Sequence, residues 1–213
     1  KSIISGINEI TKSYDAFIVL EDDIIISQNT ILYAINMLNK FEDDEIVFHI
    51  NFWNHPSINR NSAYLSQYMH CWGWASWSKY WSDIDFDKGK FEKLGIHDRF
   101  RITKYLSTLH LSHLYANYIG IRDTWAIFWL THIIIKGGKC ISPPISLSKN
   151  IGFLNGEHIE SYDFDQKLSN IPKSVLLNSV ETSYLSELKV WFNYIKSTRL
   201  LSLLNSLRIM ILK

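Results

Sequence analysis

The chain has 213 residues, 46% hydrophobic and 14% aromatic, which is enough apolar surface to close one large core and too much for a disordered chain. Lys and Arg number 22 against 21 Asp and Glu, and a net charge of +1 offers no basic surface for a nucleic acid. Cys71 and Cys140 make no metal-binding spacing and read as reduced buried thiols; with no signal peptide and no apolar run of membrane length, the expected compartment is cytoplasmic.

In chain order, residues 1–11 place Ile3, Ile4, Ile7 and Ile10 at helical spacing, followed by a Ser13-Tyr14-Asp15 turn. Residues 17–27 then read as an apolar, β-branched strand interrupted by Glu21, Asp22 and Asp23. Like charges brought together out of water repel and lose hydration, so these acids are expected where the strand emerges at an edge. There they form either an ordinary acidic turn or a site for a hard divalent cation such as Mg²⁺ or Mn²⁺. A second helix is capped by Ser27, Asn29 or Thr30 and carries Ile31, Ile35, Leu38 and Phe41 on its apolar face. The acidic turn at 42–45 reads as a solvated face, and residues 46–50 as a second buried strand. Helix and strand in alternation indicate an α/β sheet.

Residues 51–68 read as a long surface loop of the kind that binds ligands or covers sites. Four of the eight tryptophans follow within ten residues: Trp72, Trp74, Trp77 and Trp81. A cluster of that area needs either a core or a ligand to cover it. Trp77 and Trp81, at i,i+4, read as the buried face of a short helix, whereas Trp72 and Trp74 flank Gly73 and read as substrate contacts. Residues 82–99 read as an exposed charged excursion, and residues 100–119 as a helix stopped by Gly120. His110 and His113 on that helix are assigned structural roles.

Residues 122–138 read as a buried helix with a glycine stop, and Asp123 lies at its mouth, either as a plain N-cap or as a carboxylate fixed at a pocket. Residues 139–145 make a short strand closed by Pro143-Pro144, and residues 148–158 a Gly/Asn-rich loop ending in His158. Residues 184–213 read as amphipathic helices with a basic face, packed on the domain or lying on an anionic membrane surface.

Four motifs in this order carry a family resemblance: Leu20-Glu21-Asp22-Asp23, Cys71-Trp72-Gly73-Trp74-Ala75, Asp123-Thr124-Trp125-Ala126, and Asn150-Ile151-Gly152-Phe153 leading to His158. Together they resemble a GT-A glycosyltransferase, nearest to bacterial sugar transferases related to N-acetylglucosaminyltransferase I. The resemblance implies an α/β, Rossmann-like GT-A catalytic domain over residues 1–160, lacking its first strand, with a mainly helical extension over 161–213. It implies Mn²⁺ or Mg²⁺ held by Asp23, with His158 as a late metal or diphosphate contact. It further implies donor contacts from Asp22 and Glu21, an acceptor loop at Trp72, Gly73 and Trp74, and Asp123 as the base toward the acceptor hydroxyl. The expected partners are a nucleotide-sugar donor and a glycan or lipid-linked acceptor in polysaccharide assembly, with no nucleic acid and with peripheral membrane contact through the basic tail. A metal-dependent nucleotide-sugar hydrolase and a non-catalytic carbohydrate-binding module are the rival readings.

Overall fold

The computed structural model describes residues 2–55, 58, 60–106, 108–152, 168, 180 and 181. His158 and almost all of the extension expected over 161–213 lie outside this set. The fold is α/β with a mixed sheet. Helix α1 (Ser2–Ile10) leads into strand β1 (Ala16–Val19), then strand β2 (Ile24–Ile26), helix α2 (Thr30–Lys40), strand β3 (Val47–Asn51), strand β4 (Tyr64–Ser66) and strand β5 (Trp74–Trp77). Helices α3 (Ser78–Trp81), α4 (Lys90–Lys93), α5 (Ile96–Leu106), α6 (Thr108–Tyr118) and α7 (Ala126–Lys136) follow, and strands β6 (Lys139–Ser142) and β7 (Ser148–Asn150) come next. The five-stranded sheet has the order β1-β5-β3-β6-β4, with β3 and β6 parallel and the other pairings antiparallel. A separate antiparallel ribbon joins β2 to β7.

One apolar cluster packs α1, α6 and α7 on one side of the sheet, through Ile7, Leu111, Leu114, Trp129 and Ile133. The second packs α2 on the other, through Tyr33, Ala34 and Met37 against Ile50, Ala75 and Trp77. Fully burying one such side chain stabilises the fold by roughly 1.5–3 kcal/mol. Trp74 and Trp77 are three residues apart on β5, so they fall on opposite faces and enter opposite clusters. Both Trp77 and Trp81 are buried, as expected, but only Trp81 does so from a helix; Trp77 is the last residue of β5.

Several expected elements are corrected. The strand expected over 17–27 is two strands in different sheets, because a run of acids cannot sit in a buried ladder. Helix α2 is turned relative to its expected face: Thr30, Tyr33, Ala34 and Met37 are buried, while Ile31 and Ile35 are 39% and 46% exposed. The cause lies at its start, where the buried Thr30 hydroxyl donates within reach of the Ser27 and Leu147 carbonyls at 2.8 and 2.9 Å. The stretch expected as a surface loop over 51–68 is largely buried and contains β4. Its polar residues are satisfied internally: Asn54 Nδ2 donates to Ile58 and Pro144 carbonyls at 3.1 and 2.8 Å, and the Tyr64 hydroxyl donates to Asn54 Oδ1 at 2.6 Å. The helix expected over 100–119 is the pair α5 and α6. Helix α7 keeps its expected glycine stop, Gly137 at φ 78°. Among the described residues no helix is long and apolar enough to cross a membrane.

A buried histidine, His49, ties β3 to α7. Trp129 Nε1 donates to His49 Nδ1 at 3.0 Å, which makes His49 the neutral tautomer with its proton on Nε2, directed at Asn51 Oδ1 at 2.9 Å. Burial, against smaller opposing hydrogen bonds from Asn51 and the His70 carbonyl, lowers its pKa from 6.5 to about 3. A folded-state value below the unfolded one means that the unfolded chain takes up the proton first as pH falls. The contribution of His49 is therefore complete above pH 6.5 and is lost between about pH 6.5 and 3. Urea unfolding of wild type and His49→Gln should show the wild-type stability falling more steeply between pH 6 and 4, by about 1.4 kcal/mol per pH unit. Parallel curves would mean that His49 does not titrate differently in the folded and unfolded chains.

Candidate active site at the acidic turn

The chain leaves the main sheet after Val19 and turns back through residues 20–23, closed by the Ile24 N–H donating to the Glu21 carbonyl at 3.1 Å. Strand β2 then pairs with β7 in the register Ile24 opposite Asn150. The ladder continues one step further, with the Ile151 N–H donating to the Asp23 carbonyl at 2.9 Å. Asn150 Nδ2 donates to Asp23 Oδ2 at 3.0 Å, and Asn150 Oδ1 accepts from the Gly152 N–H at 2.7 Å. Asp23 is thus held through both backbone and side chain by a segment about 127 residues away in sequence. Gly152 fits against it only because it lacks a side chain: a Cβ there would lie 2.6 Å from Asp23 Oδ2.

The segment 71–73 closes the third side. The Phe52 N–H donates to the Gly73 carbonyl at 3.1 Å, and the Ser148 hydroxyl donates to the Trp72 carbonyl. Gly73 has φ 80°, and a Cβ there would press on Phe52 at 2.9 Å and on Leu20 at 3.2 Å. Three of the four sequence motifs therefore meet at this turn.

The electrostatics follow from the crowding. Glu21 is half-buried, and its carboxyl is pushed upward by burial first and then by the Asp23 and Asp22 charges. Burial, followed by the Glu21 charge, pushes the Cys71 thiol up to about 12, so it is a thiol and not a nucleophilic thiolate. Cys71 and Cys140 are both free, as the sequence suggested. Among the described residues no ion pair engages Glu21, Asp22 or Asp23, and no group of three or more His, Cys, Asp or Glu side chains is placed to hold a metal ion.

The remaining expected site residues are placed differently. Trp72 is half-buried at the turn, but Trp74 is fully buried, with His49 stacked 5.0 Å from it and Trp125 5.6 Å from it. Its ring is core, not an acceptor surface. Asp123 is not the cap of α7, which begins at Ala126 with Trp125 in the cap position. Its side chain is 78% exposed and lies 3.0 Å from Lys88. Two residues after Asp123, Trp125 stacks on Trp74, the residue after Gly73. Thr124 beside it is fixed by its N–H donating to Asn117 Oδ1 at 2.8 Å. His113 Nε2 lies 3.3 Å from the Thr124 hydroxyl and has its pKa lowered by burial and Arg122, in keeping with a structural role.

Sequence reasoning missed Asn150 as the partner of Asp23, and Trp53 beside Trp72 with His55 and His70 against the Trp53 ring. Asn150 stood inside a quoted motif, whereas the other three lay in a stretch whose irregular pattern concealed its burial. Comparison of the chain with known protein families finds no matching family model, and comparison with curated proteins finds no match. Substitution separates the tight glycine from a loose one: Gly152→Ala should lose about 1–3 kcal/mol in urea unfolding. Gly6→Ala, with nothing within 4 Å of its Cβ, should gain about 0.5–1 kcal/mol as a helical glycine replaced by alanine.

Proposed function

We propose that the chain is a metal-dependent glycosyltransferase domain that moves a sugar from a nucleotide-diphosphate donor to an acceptor hydroxyl, with inversion. The observation that carries this reading is the 3.0 Å hydrogen bond from Asn150 to Asp23, which brings together two motifs named separately from the sequence. The contact of Gly73 with Leu20 adds a third. The resemblance to GT-A enzymes supplies the finer fold assignment.

The donor set suits a cation that is shared with its substrate. Crowded carboxylates with no cationic partner among the described residues favour a hard divalent ion, yet they do not build a closed cage. Mg²⁺ and Mn²⁺ commonly bind in this way, through one or two carboxylates with waters and substrate phosphates completing the shell. Asp23 would hold the ion, with Asp22 and Glu21 toward the donor; when bound, it would neutralise charge on the diphosphate leaving group. Asn150 keeps Asp23 oriented through one oxygen. Asp123, largely exposed beside Lys88, would take the proton of an acceptor hydroxyl as its oxygen attacks the anomeric carbon. The acceptor class is a glycan or lipid-linked sugar, and a cytoplasmic site is the matching location for nucleotide-sugar chemistry.

The burial of Trp74, Trp77 and Trp81 weighs against a binding module that relies on the tryptophans alone, since three of the four are spent on the core. Calorimetry with UDP, GDP, CDP and dTDP in Mn²⁺ tests the proposal. One nucleotide should bind, chelation should abolish binding, and Asp23→Ala should weaken it by at least about tenfold, or 1.4 kcal/mol. Binding that ignores both the metal and Asp23 would contradict the assignment.

A further inference from the structure

The outer edge of the main sheet carries a contact that the proposed chemistry does not use. Strand β4 ends the sheet order, with β6 on its inner side. Val180 and Glu181 fill its outer side. The Glu181 N–H donates to the Ala63 carbonyl at 2.8 Å, the Leu65 N–H donates to the Glu181 carbonyl at 3.2 Å, and Glu181 lies opposite Tyr64 in parallel register. Val180 packs, half-buried, against the second apolar cluster, and the Glu181 carboxylate meets the Arg60 guanidinium at 3.0 Å. The receiving side is firm. Arg60 lies 5.7 Å from the Tyr64 ring centre, the Tyr64 hydroxyl donates to Asn54 Oδ1, and Asn54 is itself tied to the Ile58 and Pro144 carbonyls.

We propose that Val180 and Glu181 form a latch on the β4 edge, with Arg60 as its catch, and that it opens as a unit while the sheet beneath stays paired. The latch owes nothing to the transferase reading. Its two sides are held unequally. Strand β4 is laddered to β6 through Tyr64, Leu65 and Ser66, whereas the described outer contact consists of two backbone hydrogen bonds, one ion pair and the Val180 side chain. A segment held by so few bonds opens locally at far lower cost than the whole fold. The ion pair is also asymmetric: the Arg60 side chain is 15% exposed and that of Glu181 40%. The covered guanidinium therefore stays with the sheet, and the better hydrated carboxylate is the partner that leaves. An unpaired sheet edge is a template for other strands. Closed, the latch denies the β4 edge to them, and Arg60 favours an extended segment that carries an acid at this register position.

Amide hydrogen exchange of the whole chain, resolved by NMR, tests the latch without donor or metal. The Leu65 and Glu181 amides should share one protection factor, at least about tenfold below those of β3 in the middle of the sheet. Glu181→Lys sets a second cation against Arg60 and should lower that shared factor by at least about fivefold, with β3 unchanged within about twofold. Combining it with Arg60→Glu restores an opposite pair and should recover at least about half of the loss on a logarithmic scale. Protection of Leu65 equal to that of β3 in the wild type would mean that the pair opens only with the sheet, and would overturn the proposal. A Leu65 factor untouched by Glu181→Lys, one that falls in step with β3, or no recovery in the double variant would overturn it as well.

Discussion

Three consecutive carboxylates cannot be carried through a hydrogen-bonded sheet between apolar layers, because each would lose its water without gaining a counter-charge. That constraint shapes the centre of this molecule. The chain exits β1 at Val19, exposes Asp22, half-buries Glu21 and Asp23, and resumes as β2 in a different, two-stranded ribbon. The ribbon partner is β7, so the constraint on the acids also draws the far end of the chain to them. Asn150 answers one Asp23 oxygen with a neutral donor, and the backbone closes the remaining step through Ile151.

The rigidity behind this turn comes from an unusually aromatic core. Trp74 lies between His49 and Trp125, and Trp129 reaches back to the same histidine with its indole N–H. Stacked and edge-on aromatic pairs add roughly 0.5–1.5 kcal/mol each beyond their buried area. Because Trp125 precedes α7 and Trp74 begins β5, this stack fixes where residues 123–124 lie relative to the main sheet. Asp123 thus owes its place to core packing, although its own side chain projects to solvent beside Lys88. The same histidine and Asn51 hold the backbone of His70, so the core sets both flanks of the turn.

What the sequence disclosed follows from which signals are local. The position of the acids, the glycine stop of α7 at Gly137, and the buried runs of β3 and β6 were all legible, since each depends on charge, φ or a continuous apolar stretch. Strand β5 was not, because a central strand buried on both faces shows no alternation, and Trp-Ala-Ser-Trp resembles a ligand-binding run as much as a strand. The face of α2 was misjudged because Thr30 turns inward to meet the Leu147 carbonyl, a contact made across 117 residues. The burial of Phe52, Trp53 and Asn54 was hidden for the same reason: the carbonyl of Pro144 that satisfies Asn54 is distant in sequence. Of the site, the acids were legible one by one, but their union with Asn150 and Cys71 was a property of topology. Trp74 was placed at the surface because sequence alone cannot say which of two tryptophans flanking a glycine turns inward.

A divalent cation held as proposed by Asp23 would lie beside segments 71–73 and 150–152 as well as 20–23. Paramagnetic broadening by Mn²⁺ in amide NMR spectra tests it most directly, since the effect depends on distance to the bound ion and requires no knowledge of the donor. At substoichiometric Mn²⁺ the amides of Asp23, Cys71, Gly73 and Gly152 should broaden together and recover on addition of excess Mg²⁺. Broadening confined to the acidic stretches at 42–45 or 83–87, with these four amides left sharp, would contradict it.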